Sequence, residues 1–457
     1  MSLSRHTAYN VLGQALPLAV SFFAIPIYLR LIGEARFGIL ALIWLFFGYL
    51  GLFDFGLGRA IARQLARLRG EQDSKQASVL STALLVSLSF GVIGAVMALP
   101  LGSWFFTQHA AIESSLRSEL LAALPWAGAL VPLTTVASVG SGALVARSAF
   151  GELSIINATG NVLATLAPLA VAASYQPLLP ALLIAVVAVR MAIVVWILWR
   201  CRRHYVDRNF LIFDIQVAAQ LLHFGGWATL SAIISPIMVM TDRFAIGVQL
   251  GSREVSHYAI PFQLAEQSTI FSSALNQTLF PRLSNTSNEG DQRNLAMLGL
   301  ETLIILTSLP IAGVLLLAGP LLSWWLTPEF AAHSTGAAQI LFFSFWINGL
   351  ALVPYTKLFA SGRSDLVAKC HLLELPPYLL VLYFSLEYWG VAGAAVAFGL
   401  RVAVDFLLLA HLGGILSPAL RVTGVPALLL GTLTGAALIT DVSSIRWELA
   451  CLVLPIL

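Results

Sequence analysis

The chain has 457 residues, of which 58% are hydrophobic and only 10% charged, with a formal net charge of +3. Soluble domains carry about a quarter charged residues, so this composition excludes a soluble enzyme or a nucleic-acid-binding domain. It specifies an all-α polytopic membrane protein.

A bilayer core needs about 20 apolar residues per helix. Stretches free of Asp, Glu, Lys and Arg reach that length repeatedly, as at 77–108, 120–146 and 302–328. In chain order, hydropathy predicts helices over 9–31, 37–57, 79–102, 120–143, 154–173, 178–199, 219–241, 255–280, 300–325, 334–356, 367–386, 390–412 and 424–440. The uncharged run 153–189 is too long for one span and divides at Tyr175-Gln176-Pro177. A closing apolar piece, 447–457, is too short to cross, so it is either an interfacial end or a truncated span. The first helix is too long for a signal-peptide core and lacks a small-residue cleavage site, so it is read as retained.

Between the second and third helices runs "LFDFGLGRAIARQLARLRG", residues 52–70. It contains Asp54-Phe55-Gly56, the magnesium-holding tripeptide of kinases, but no companion catalytic loop or strand lysine accompanies it. Gly56-Leu57-Gly58 lacks the third glycine of a dinucleotide fingerprint. The stretch reads instead as the end of a span, where small residues permit a bend or close helix approach. Beyond it Arg59, Arg63 and Arg67 recur every four residues, with Ile61, Leu65 and Leu68 on another face. That pattern predicts an amphipathic helix lying on the lipid surface.

Loop charge orients the array. With Met1 in the cytoplasm, inner segments hold 17 Lys and Arg (Lys369 at its helix end included) and outer segments 5, leaving Arg30, Arg190 and Arg401 within helices. The split follows the positive-inside rule. A second basic linker, Arg200 to Arg208, divides the chain into lobes at 1–205 and 206–415, with extra hydrophobic helices at 416–457. The halves echo each other faintly: Gly13 and Arg30 are seventeen residues apart, as are Gly226 and Arg243. Two pseudo-symmetric six-helix lobes with a pathway between them form the usual plan of a secondary transporter. Pro17 and Pro26 in the first helix, and Gly225, Gly226 and Pro236 in the seventh, are expected to break these two helices. Cys201, Cys370 and Cys451 fit no ligand spacing. The short outer loops offer no catalytic constellation, which speaks against an enzyme.

Intramembrane charges are the candidate working residues, because each costs free energy unless paired or hydrated. Arg190, in "VVAVRMAIVV", has no acid on its own span; it either pairs with Asp54 or faces a wet cavity as an anion site. Arg30 sits near a helix end, where it either snorkels or binds. Asp242 and Arg243 are adjacent and point about 100° apart, so one is expected to face the cavity and the other the headgroups. Glu266, between Gln263 and Gln267, is a candidate proton or sodium ligand or a partner for a cavity arginine. Arg401 and Asp405 are four apart on one helix and, with Lys369 and Glu374 on the next, suggest a self-neutralised structural cluster.

"YN..G" (Tyr9, Asn10, Gly13), "PIYLRLIGEARFG" (26–38), "DFGLGRAIAR" (54–63), "FGGWATLSAIISPIMVMTDRFAIG" (224–247) and "FPRLS" (280–284) resemble the signature of Wzx-type polysaccharide flippases, of the multidrug/oligosaccharidyl-lipid/polysaccharide superfamily. The resemblance implies the fold shared with MATE transporters, with 12–14 helices. It also implies transport of an undecaprenyl-diphosphate-linked oligosaccharide across the bacterial inner membrane by alternating access, for O-antigen or exopolysaccharide export. The implied partners are that lipid-linked glycan, membrane lipids and glycan-assembly proteins, with no nucleic acid. No cofactor is implied beyond proton or sodium coupling. On this reading Arg30, Arg190, Arg243, Arg59 and Arg63 meet the diphosphate, while Asp54, Asp242 and Glu266 bind the coupling ion or pair with the arginines. The alternatives are a multidrug/cation antiporter of the same superfamily and an intramembrane glycan polymerase or ligase.

Overall fold

In a computed structural model the described residues are 3–49, 56–68, 73–108, 112–175, 177–205, 213–219, 240–286 and 288–439. Every regular element among them is helical, and nine helices are long and apolar enough to cross a membrane. The chain divides into two compact units, Met1–Met240 and Thr241–Leu457.

The first unit contains α1 (Leu3–Tyr49), α2 (Leu57–Arg67), α3 (Asp73–Gln108), α4 (Ser114–Ala146), α5 (Phe150–Ser174) and α6 (Leu179–His204). The second contains α7, the helical residues 240–249, followed by α8 (Ser252–Gln267), α9 (Ile270–Asn285), α10 (Glu289–Trp325), α11 (Pro328–Ala360), α12 (Ser364–Leu412) and α13 (Leu416–Ile439). Most of the seventh predicted helix, with Gly225, Gly226 and Pro236, lies outside the described residues, as do Asp54 and the closing 447–457 piece.

Two of these helices are hairpins of two arms. Gly33 in α1 (φ 78°) and Gly390 in α12 (φ 55°) hold positive φ, where a side chain would be strained. In α1 the fold-back brings the Tyr28 ring to 6.2 Å from Phe37 and 6.4 Å from Trp44. The expected break at Pro17 and Pro26 is not where the chain bends: the first arm stays helical through both prolines and ends at Gly33. Conversely, the single helix expected over 255–280 is divided, because α8 stops at Gln267 and α9 restarts at Ile270.

The core of the first unit joins Leu57, Ile61 and Leu65 of α2 to Leu80 and Ala83 of α3, Val139 and Leu144 of α4, and Ile197 of α6. This corrects the expectation for α2. Its apolar residues Leu57, Ile61 and Leu65 are covered by protein, with Leu57 and Ile61 fully buried and Leu68 partly buried. The cause is the crossing with α4. A Cβ on Gly142 would collide with the Gly58 carbonyl oxygen, and one on Gly58 with Ser138. Lipid is as apolar as leucine, so helices in a bilayer associate through close van der Waals packing, and small residues permit it. In the second unit, Leu300, Leu303 and Leu315 of α10 pack with Trp346, Leu350 and Val353 of α11, Phe406 of α12 and Leu430 of α13.

Each unit also carries a comparable ion pair. Arg36 forks onto Glu119 of α4 through two bonds of 3.0 and 2.6 Å, and Arg253 of α8 meets Glu329 of α11 at 2.7 Å.

Gly142→Ala is expected to lower the thermal unfolding midpoint in detergent, through overpacking of about 1–3 kcal/mol. Gly313→Ala on α10, where a Cβ meets nothing within 4 Å, is expected to leave the midpoint unchanged or raise it. Equal responses would contradict the close α2–α4 crossing.

Candidate functional site

In the first unit, α6 carries Arg190 half-buried at the middle of a membrane-length helix. Its Nη2 reaches Asn161 Oδ1 of α5 at 3.4 Å, a weak contact. Among the described residues no carboxylate lies within ion-pair distance of it. Arg30 is exposed on the first arm of α1. Two residues earlier, Tyr28 is buried and donates to the Thr165 carbonyl of α5 at 2.7 Å, which fixes that arm. Arg59 and Arg63 belong to α2, with side chains outside the described residues.

The second unit gathers more of the predicted charges. Asp242 of α7 is fully buried. Its Oδ2 accepts from the Tyr258 hydroxyl of α8 at 2.6 Å, and its Oδ1 from the Arg243 backbone N–H at 2.7 Å. The Arg243 guanidinium lies 3.9 Å over the Phe262 ring. Phe262 in turn meets Phe345 edge-on at 4.9 Å and Phe398 at 5.3 Å. On the other side of this aromatic group, Arg401 stands 5.2 Å from Phe398 and 5.5 Å from Tyr378. A cation over a ring face is attracted by the ring quadrupole, so the aromatic group holds two guanidinium groups inside the unit. Asp242 and Arg243 do diverge as adjacent helical residues must. Asp242 is fully buried, and Arg243, half-buried, is packed on Phe262.

Glu266 falls on the last turn of α8, exposed together with Gln263 and Gln267. The cluster expected around Arg401 comes together only in part. Lys369 stays outside it, exposed and bonded to Asp365 at 3.0 Å. Its absence leaves Glu374, Asp405 and Arg401 with one cation too few. Asp405 Oδ1 instead lies 3.5 Å from His371 Nε2.

The sequence reading passed over His371, Tyr378 and Tyr258. The first two were detectable. His371, Glu374 and Tyr378 follow the three- and four-residue steps of one helix face, in an otherwise apolar segment. Tyr258 carried no such signal, because its hydroxyl matters only once α8 is packed on α7. Among the described residues no group of three or more His, Cys, Asp or Glu side chains is arranged to hold a metal ion.

The family described as "Polysaccharide biosynthesis protein" matches residues 27–334. A candidate O-antigen transporter of Shigella flexneri is 30% identical over 414 residues, covering 90% of this chain and 97% of that one. Among solved structures, the lipid II flippase MurJ in an inward closed conformation aligns with a TM-score of 0.73 at 12% identity, over 98% of this chain and 97% of that chain. An inward-facing multidrug transporter of the MATE family aligns with a TM-score of 0.68 at 13% identity, over 91% and 98% of the two chains. The fold is therefore the one shared by these two transporters.

Tyr258→Phe removes a hydrogen bond to a buried acid and is expected to cost about 1.5–3 kcal/mol, read as a lower thermal midpoint in detergent. Tyr383→Phe, on an exposed face of α12, is the control and should change nothing.

Proposed function

The chain belongs to the polysaccharide biosynthesis protein family, and from that premise we propose that it is a flippase. It moves a polyprenyl-diphosphate-linked oligosaccharide from the inner to the outer leaflet of the bacterial cytoplasmic membrane, with its N-terminus in the cytoplasm, and supplies cell-surface glycan assembly. It is a transporter rather than an enzyme. Its two six-helix lobes are taken as 1–205 and 206–415, working by alternating access.

The observation that supports this reading beyond family membership is Arg190. It is a half-buried guanidinium within a membrane-length helix, and among the described residues it touches only the amide oxygen of Asn161. Arginine keeps its proton in any environment and its planar fork grips phosphate through paired hydrogen bonds. A charge of this kind inside the bilayer is tolerated where it faces water or a counter-charge. A diphosphate supplies that counter-charge during each transport cycle. Arg30, Arg59, Arg63 and Arg243 are the further cations assigned to the headgroup path. Asp54, Asp242 and Glu266 are the acids assigned to a coupling proton or sodium ion, or to those arginines.

In a deletion strain without redundant flippases, lipid-linked oligosaccharide should accumulate on the cytoplasmic leaflet, measured by leaflet-selective labelling of membrane vesicles. Normal delivery to the outer face would sink the proposal. Arg190→Ala and Arg190→Glu should abolish export, with Arg190→Lys partly active. Full export by Arg190→Glu would remove the diphosphate role. Loss of resistance to cationic drugs, with glycan export intact, would favour multidrug export instead.

A further inference from the structure

Helix α5 presents two open faces of opposite character. Ile155, Leu163 and Leu166 are exposed and apolar, as suits a side turned to lipid. Asn157 and Asn161 are exposed too, inside the same membrane-length helix. Asn157 and Leu166 are nine residues apart (166 − 157), which at 100° per residue sets them about 180° from each other. The polar face is therefore turned away from the lipid side. Two neighbours bound it. A Cβ on Gly160 would crowd Ile193 of α6, and the Thr165 carbonyl accepts from the Tyr28 hydroxyl of α1 at 2.7 Å. By the same helical spacing both asparagines fall between these two contacts. An amide left open to hydrocarbon costs free energy, so this face of α5 looks onto water within the first unit.

The chemistry of the face narrows what it can take. Among the described residues the Asn157 amide makes no hydrogen bond, and Asn161 uses only its Oδ1, on the Arg190 Nη2 at 3.4 Å. Two amide oxygens on one face would suit a cation. Arg190 excludes it, because its guanidinium already lies on Asn161 and repels a second positive charge. A phosphate only accepts hydrogen bonds and would leave the Asn157 oxygen unused. A hydroxyl group both donates and accepts, as the amide does, so a polyhydroxylated ligand matches Asn157 in both senses. Four residues separate the two asparagines (161 − 157), about 6 Å along the axis. A group bonded to a diphosphate at Arg190 comes within reach of Asn157.

We propose that the polar face of α5 is the surface that reads the glycan. Asn157 hydrogen-bonds the hydroxyl groups of the first sugar, while Asn161 orients Arg190 towards the diphosphate that carries it. This inference rests on the flippase reading above and adds to it a specificity-determining residue. Arg190 recognises the diphosphate that every such lipid shares, whereas Asn157 distinguishes a sugar-bearing lipid from the bare polyprenyl diphosphate. A carrier returning empty is thereby bound less tightly than a loaded one.

The experiment measures binding of radiolabelled lipids to the full-length protein in nanodiscs. The probes are bare undecaprenyl diphosphate and the same lipid carrying one N-acetylglucosamine, one glucose or one galactose. The protein should bind at least one sugar-bearing lipid about tenfold more tightly than the bare one, the worth of one or two hydrogen bonds. Asn157→Ala, or Asn157→Ser should the first not fold, should lose that preference and keep its affinity for the bare lipid. Leu166→Ala, on the opposite face, should change neither. Equal binding of bare and sugar-bearing lipids, or a preference that survives in the Asn157 variant, overturns the glycan role and leaves the diphosphate reading standing. Binding of none of the four lipids ends the flippase reading itself. The water-facing geometry is checked separately with a charged, membrane-impermeant thiol reagent. Asn157→Cys should gain reactivity over the parent protein and Leu166→Cys should not, and equal labelling of the two overturns the proposal.

Discussion

A charge at the centre of a bilayer costs about 2.5–3.5 kcal/mol on insertion scales, and lipid offers nothing to reduce that cost. Protein groups must do so, and the second unit shows several ways of doing it. Asp242 accepts two hydrogen bonds, from a tyrosine hydroxyl and from a backbone N–H. Arg243 and Arg401 lie on aromatic faces, where part of their lost hydration is replaced by the ring quadrupole. Phe262 meets Phe345 and Phe398 edge-on and those two rings are tilted to each other, so the three form one packed group beside both cations. Glu374 receives no such treatment. It is 4% exposed, and neither carboxyl oxygen meets a donor among the described residues.

The first unit answers the same constraint differently. Among the described residues, its ion pairs of Arg36 with Glu119 and Arg200 with Glu152 sit near helix ends and are partly exposed. Arg147 is tied to the side chain of Gln76, to the His204 carbonyl and to the face of Tyr205, joining three helices at one end of the unit. Arg190 is the exception, with a single long contact to an amide. Among the described residues, the first unit thus presents Arg190 with one long contact and the second a buried Glu374 that meets no donor.

Much of this was legible in the sequence because hydropathy and charge act over single helices. The spans, the divide at Tyr175 to Pro177, and the i, i+4 relation of Arg401 and Asp405 all follow from spacing alone. What failed did so for local physical reasons. Lys369 was assigned to the cluster because its helix was started at 367, two residues past the Asp365 that binds it. Pro17 and Pro26 were expected to break α1, yet a membrane helix can absorb a proline where neighbours satisfy the freed carbonyl, and the chain bends instead at the glycine that tolerates positive φ. Tyr258 was passed over, since nothing in its own segment reveals the acid it meets. The α2 pattern was read correctly as amphipathic but assigned the wrong neighbour. Periodicity says that one face is apolar without saying whether lipid or protein covers it.

That misassignment has a meaning in time. Gly58 and Gly142 are 84 residues apart (142 − 58), and the crossing they form does not exist until α4 has entered the bilayer. At a synthesis rate of 5–20 residues per second, α2 waits roughly 4–17 s for its partner. During that interval Leu57, Ile61 and Leu65 lack Val139 and Leu144 of α4 and have only α3 and the membrane to pack on. The clamp onto α4 is what these residues form once the unit is assembled.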